Sequence, residues 1–297
     1  MSPPGIATAA RATVSATLST FTAADGENLA LYDWPQHGGA RPRAMVLLVH
    51  GLGEHMGRYE TVARHLGDWG FAVRGFDQYG HGESGGPRGG LTSGSRLLDD
   101  LVDIVDDTRA RLSRQKIPGT PLILLGHSLG GLVAARFVSL KMRPVDALVL
   151  SSPALDAGLS GVQKFLVATL PKVAPNLRVG NGLDARFLSH DPAVVAAYRA
   201  DSRVHDRIAA RLALFIAEAG PATLAEAPRW SVPTLLLWAG QDKLVNPAGS
   251  LAFAAAAPKQ VLTSKCFDGL YHEIFNERDS EPVFAMLRSW LEQRFAA

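Results

Sequence analysis

The apolar run Pro121–Leu125 passes without a break into Gly126-His127-Ser128-Leu129-Gly130-Gly131, and from there into Leu132-Val133-Ala134-Ala135-Arg136-Phe137-Val138. A strand buried on both faces must therefore turn into a helix within a few residues. Glycines two positions before and two after Ser128 let the strand and helix backbones approach without Cβ clashes. In such a turn the middle residue is strained and lifts its side chain above the sheet. The amide that follows, Leu129 N–H, points into the same space and can stabilise an oxyanion. This context reads Ser128 as a nucleophile. The plainer alternative is a tight strand-to-helix turn with a serine N-cap.

A hydroxyl is a poor nucleophile at neutral pH, so the rest of the chain is searched for its partners. With 297 residues, 47% hydrophobic and 20% charged, it can bury a substantial core. The net charge of +2 is spread along the chain, which argues against a nucleic-acid partner or a fixed anionic-membrane patch. The single cysteine, Cys266, excludes an intrachain disulfide and a cysteine-built metal site, and reads as a buried, inert thiol. Residues 1–15 are rich in Ala, Ser, Thr and Pro. They lack a basic segment followed by an apolar one, so they read as a disordered tail rather than a signal peptide, and a cytoplasmic location is expected.

Strands are expected at Leu18–Thr22, Asn28–Trp34, Ala44–Val49, Phe71–Phe76, Pro121–Leu125 and Asp146–Ser151. Amphipathic helices fall between them, at Gly57–Trp69 and Ser95–Gln115. This alternation implies βαβ units and a mostly parallel sheet. It stops after Ser152-Pro153. Residues 156–230 are mostly helical and irregular, and strands resume at Thr234–Ala239 and Val261–Phe267 before a closing helix, Glu281–Phe295. The expected organisation is one α/β core, 16–155 with 231–297, interrupted after its sixth strand by the segment 156–230.

Ligands of open parallel sheets sit at the carboxyl ends of the strands, and four polar clusters follow strands: His50–His55, Asp77–Ser84, Gly240–Asp242 and Asp268–Glu273. The nucleophile needs a base within hydrogen-bond reach, and the base needs an acid to orient it. Downstream of Ser128, Asp242 and His272 follow successive strands in the order Ser, Asp, His that an α/β-hydrolase requires. Asp268 is the rival acid, close in sequence to His272. His190 and His205 lie in the inserted segment, and His127 is expected to point away from Ser128. The loop His50-Gly51-Leu52-Gly53 follows the third strand, and Leu52 N–H is its candidate second oxyanion donor. His50 reads as a scaffold, and Asp77, Tyr79 and His81 as braces of this loop and of the turn.

These motifs together resemble the monoacylglycerol lipase and lysophospholipase branch of the α/β-hydrolases. The match runs through His50-Gly51-Leu52-Gly53-Glu54-His55, Arg58-Tyr59, Asp77–Ser84, Gly126–Gly131, Gly240–Val245 and Tyr271-His272-Glu273, and through Leu188–Pro192, Tyr198 and Asp201 in the insertion. It covers roughly residues 28 to 295. One departure is Gln78-Tyr79, where many members carry an arginine before the glycine. The resemblance implies an α/β-hydrolase fold, neither metal nor organic cofactor, and a small lipid or ester substrate. It also implies that 156–230 is a helical cap over the site. The apolar residues Phe165, Leu166, Val167, Leu170 and Val173 fit either an acyl tunnel and transient contact with a lipid surface, or simple packing on the core.

The activity so implied is hydrolysis of monoacylglycerols through a Ser-His-Asp acyl-enzyme. Lysophospholipase, short-chain carboxylesterase and perhydrolase activities use the same triad and stay open. Epoxide and haloalkane hydrolases need a carboxylate where Ser128 stands. A non-catalytic binding member of the fold would normally have lost a triad residue, and this chain keeps all three.

Overall fold

A computed structural model describes residues 15–35, 41–158 and 161–296, and of residues 161–165 the main chain only. The expected tail, apart from Ser15, lies outside the described residues, as does the side chain of Phe165. In chain order the elements are β1 (Thr17–Thr22), β2 (Asn28–Trp34), β3 (Met45–Val49), α1 (Glu60–Asp68), β4 (Ala72–Phe76), α2 (Arg96–Arg114), β5 (Leu122–His127), α3 (Leu129–Ser139) and β6 (Ala147–Ser151). There follow α4 (Gly161–Val173), β7 (Arg178–Gly180), α5 (Pro192–Ala200), β8 (Arg207–Ala209), α6 (Ala210–Glu226), β9 (Thr234–Ala239), α7 (Pro247–Ala256), β10 (Leu262–Phe267) and α8 (Glu281–Arg294).

Eight strands form one sheet in the order β1-β2-β4-β3-β5-β6-β9-β10. β1 and β2 are antiparallel to their neighbours; the rest pair in parallel. Side chains of a strand alternate between faces, and here both faces are covered, which is why the central strands are continuous apolar runs. Leu47, Val49, Leu124 and Leu236 pack with α2, α3, α6 and α7, while Val46, Leu48, Ile123, Leu125 and Leu235 pack with α1 and α8. Truncating one such leucine to alanine costs about 2–5 kcal/mol, a large part of the ~5–15 kcal/mol that holds a domain folded. The sheet interior therefore has little freedom to vary.

The chain runs from β3 outward to β4, then crosses back to β5 on the other side of β3. That reversal opens a crevice at the carboxyl ends of β3 and β5. Val49 and Gly126 are register partners there, so the loop after Val49 and the turn at Ser128 leave the sheet side by side. β9 and β10 end together at Ala239 and Phe267, which brings the loops holding Asp242 and His272 next to each other.

Between β6 and β9 the chain forms α4, α5 and α6, together with a two-stranded antiparallel sheet of β7 and β8. Three-residue strands are too short to show a period in sequence, so the reading of this region as helical and irregular passed over them. Among the described residues no helix is long and apolar enough to cross a membrane.

Candidate active site

β5 runs two residues further than its apolar stretch, through Gly126-His127, and α3 starts at once at Leu129. The whole reversal falls on Ser128, whose φ of 53° and ψ of −118° lie where an L-residue is costly. Bonds on both sides enforce it. Ser128 N–H donates to Ser151 O at 3.0 Å, and Ser128 O accepts from the amides of Leu132 and Ala154, both at 3.0 Å. A Cβ on Gly126 would overlap the carbonyl of Gly130, and one on Gly130 would overlap the carbonyls of Val49 and His50. Each glycine is required by a backbone, not by a flexible side chain.

His272 and Asp242 are joined by a 2.6 Å hydrogen bond from Nδ1 to Oδ2. The other carboxylate oxygen, Oδ1, accepts the amides of Leu244 and Val245, both at 2.9 Å, so the acid is fixed in orientation. Burial disfavours the Asp242 anion, but the facing imidazole and these amides outweigh it and lower its pKa. Burial likewise disfavours the His272 cation, and Asp242 outweighs it and raises the imidazole pKa. Asp268 bonds instead toward Cys266. That thiol is half-buried rather than buried, and desolvation with the Asp268 carboxylate pushes it up to about 11.

The loop after β3 is braced by buried polar groups. Gly51 N–H is taken up by Glu54 Oε1 at 2.6 Å, and the next residue, Leu52, lines the same cavity as Ser128. Leu129, as the first residue of α3, has an amide without an intrahelical acceptor. Gln78 N–H donates to His50 Nε2 at 2.9 Å while His50 Nδ1 meets Gly51 O at 2.7 Å, so His50 is fully engaged as a scaffold. The Asp77 carboxylate accepts from Met56 N–H and Glu83 N–H, and from the Tyr32 hydroxyl.

The His127 side chain is absent from the cavity that Ser128 lines and instead lines a small one with Glu54, Arg58 and Glu273. Its ring lies 4.8 Å from that of His272, and its Nδ1 meets Ser151 Oγ at 3.1 Å. Burial and the facing His272 hold it down to about 4, so it packs as a neutral ring beside the His272 imidazole. His205 sits against His81, with ring centroids 4.7 Å apart, away from Ser128.

Ser128, His272, Leu52 and Leu129 all face one cavity of about 400 Å³, roofed by Val167, Leu183, Phe187 and Ile216 of the inserted segment. Ala157, Val167 and Ile216 also line a second cavity of about 630 Å³ that extends between α4, α6 and α7. The wall is mostly apolar, and Asn181, Asp184 and Lys243 are among its polar residues. Such a site can hold a flexible apolar chain with a polar head beside Ser128.

The family model described as "Serine aminopeptidase, S33" matches residues 40–279. A monoacylglycerol lipase of Mycolicibacterium smegmatis is 36% identical over 84% of this chain and 88% of its own. The human monoglyceride lipase is 32% identical over 92% and 89%. The crystal structure of the Paleococcus ferrophilus monoacylglycerol lipase superposes with a TM-score of 0.78 at 33% identity, covering 90% of this chain and 99% of that one. The chain belongs to the monoacylglycerol lipase branch of the α/β-hydrolases.

Where many members of this branch carry arginine, Tyr79 stands with its ring 4.4 Å from the guanidinium of Arg96, which reaches across from α2 and pairs with Asp100 and Asp25. A cation thus returns to the loop from another element. Sequence reading also passed over the charge cluster behind the loop. Arg58 pairs with Glu54 at 2.6 Å and grips Glu273 through two nitrogens at 2.6 and 2.7 Å. Although burial opposes the anion, Arg58 and the nearby imidazoles hold Glu54 down to about 2. The signal was present in Glu54-x-x-x-Arg58 at helical spacing; its partner Glu273 lies 215 residues away and only the fold supplies it.

Proposed function

We propose that this protein is a serine hydrolase that cleaves monoacylglycerols to fatty acid and glycerol through an acyl-enzyme. The observation that carries this reading is the apolar cavity in which the strained Ser128 and the Asp242-bound His272 meet. His272 Nε2 takes the proton of Ser128 Oγ as Oγ attacks the ester carbonyl, and the amides of Leu52 and Leu129 hold the resulting oxyanion. Collapse breaks the bond to the glycerol oxygen, which leaves with the proton from His272. Water, deprotonated by His272, then attacks the acyl carbon, releases the fatty acid and restores Ser128. Asp242 keeps the imidazole in the tautomer that presents Nε2 and stabilises its cation.

In this reading residues 156–230 are the cap. The acyl chain runs beneath Val167 and Ile216, and the head remains beside the polar residues of the wall. Leu166, Val173, Leu177, Val179 and Leu183 are exposed on the same segment, with Lys172 and Arg178 among them, and this face meets the lipid surface from which substrate is drawn. The test is fatty-acid release from a long-chain monoacylglycerol by the purified protein and by Ser128→Ala. Release by the parent alone, with loss on the order of 10⁴-fold or more in the variant, is expected. Equal rates would overturn the assignment, and cleavage of only short activated esters would move it to carboxylesterase.

A further inference from the structure

The inserted segment is not uniformly a roof. Residues 187–191 lie along the loop that carries His272 and bond to its main chain. His272 N–H donates to Phe187 O at 3.4 Å and Glu273 N–H to Leu188 O at 2.8 Å. Ser189 Oγ bonds Asn276 O at 2.9 Å. At the centre of this seam is Glu277, whose side chain is 1% exposed. Its Oε1 accepts Tyr271 N–H at 2.7 Å and faces His190 Nδ1 at 2.8 Å. Its Oε2 accepts His190 N–H at 2.9 Å and lies 3.2 Å from Ser189 Oγ. The His190 ring stacks on Tyr271 at 3.6 Å.

A buried carboxylate is costly unless its oxygens are filled, and here donors from two distant parts of the chain fill them. One donor is the amide immediately before His272. Glu277 is not among the residues lining the cavity of Ser128; it reaches the His272 loop through the Tyr271 amide and the Ser189-His190 strip. We infer that Glu277 is a positioning residue for the reaction: it clamps the Tyr271 amide and the Ser189-His190 strip together, and so fixes where the His272 imidazole stands relative to Ser128. The inference rests on the serine-hydrolase reading above. Its physical basis is that displacement of a catalytic group by about 1 Å can cost about 10²-fold in rate.

Glu277→Gln keeps the shape of the side chain but replaces one acceptor oxygen with a donor, against a ring of donors. The experiment titrates active sites with a fluorophosphonate and then measures kcat and KM per titrated site on a short soluble ester. The expected result is a ten- to hundredfold lower kcat per site, KM within twofold, and slower fluorophosphonate inactivation. Wild-type kcat per site with only a lowered Tm would mean that Glu277 merely stabilises the fold, and would overturn the inference. His190→Ala removes one donor at a half-exposed position and serves if Glu277→Gln does not fold. It is expected to lower kcat per site severalfold, and no change overturns the inference equally. Failure of the parent protein to react with the fluorophosphonate is a separate result that removes the serine-hydrolase reading itself.

Discussion

The floor and the roof of the cavity are held in different ways. The floor, made of Leu52, Ser128, Leu129 and His272, sits on the ends of buried strands, and backbone carbonyls forbid a side chain at Gly126 and Gly130. The roof, with Val167, Leu183, Phe187 and Ile216, belongs to helices and short strands, several of whose apolar residues are exposed to solvent. On the proposed reading, chemistry that tolerates little displacement rests on the buried strand ends, and the selection of substrate falls to the more exposed segment. The strip 187–191 breaks this division, since it comes from the roof by sequence and is bonded into the floor.

The comparison is broken most severely on the floor. Asp242→Asn keeps the size of the acid but offers the wrong hydrogen-bond pattern to His272 Nδ1. Loss on the order of 10⁴-fold in kcat is expected, equally for long and short esters. Because Asp242 raises the His272 pKa, the residual activity is expected to have its acid limb at lower pH. A loss that depended on acyl length would place Asp242 in substrate binding instead.

Substitutions in the roof act on selection. Val167→Asp, where the two cavities meet, is expected to lower kcat/KM for long-chain esters by about tenfold or more relative to a butyrate ester, since a charged carboxylate and an acyl methylene cannot share that space. Val173→Asp lies on the outer face, where 82% of the residue is exposed. It is expected to leave soluble esters unaffected and to slow only substrate presented in vesicles. Equal effects of the two variants on all substrates would mean that the roof has no inner and outer sides.

What could be read in advance follows the same division. The floor was legible because each element has a local cause: unbroken apolar runs for strands buried on both faces, paired glycines for the turn, and Asp242 and His272 following successive strands, which brings them into hydrogen bond. The turn's exact extent was not legible, because β5 continues through Gly126-His127, residues with no strand preference of their own. Nor was the short β7–β8 pair, or the placement of His127 beside His272. Pairings such as Arg58 with Glu273 and Glu277 with His190 join residues tens to hundreds of positions apart, and no local pattern announces them.

The smallest expected effect concerns stability. His127 at the end of β5 and His205 in the insertion are each held down to about 4, His127 by burial and the facing His272, His205 by burial and nearby Arg88. Burial and the neighbouring His50 hold His81 well below its ordinary value. In the unfolded chain all three titrate near the usual ~6.5. Between pH 6.5 and 4 the unfolded state therefore binds protons that the native state refuses, and stability falls as pH falls through that window. His272 acts in the opposite sense: its raised pKa contributes stability below the unfolded value that is lost as pH rises through the folded one. The His272 contribution is already complete below its unfolded value and does not oppose this trend, and burial lowers His55 and His65 in the same sense as the other three, so Tm is expected to drop on acidification from pH 6.5 to 4. His205→Gln is expected to reduce that slope without touching the Asp242–His272 pair, as a pH series of melting curves would show. A Tm that stays flat across the window would mean that these rings take up protons in place, through water reaching the seam between floor and roof.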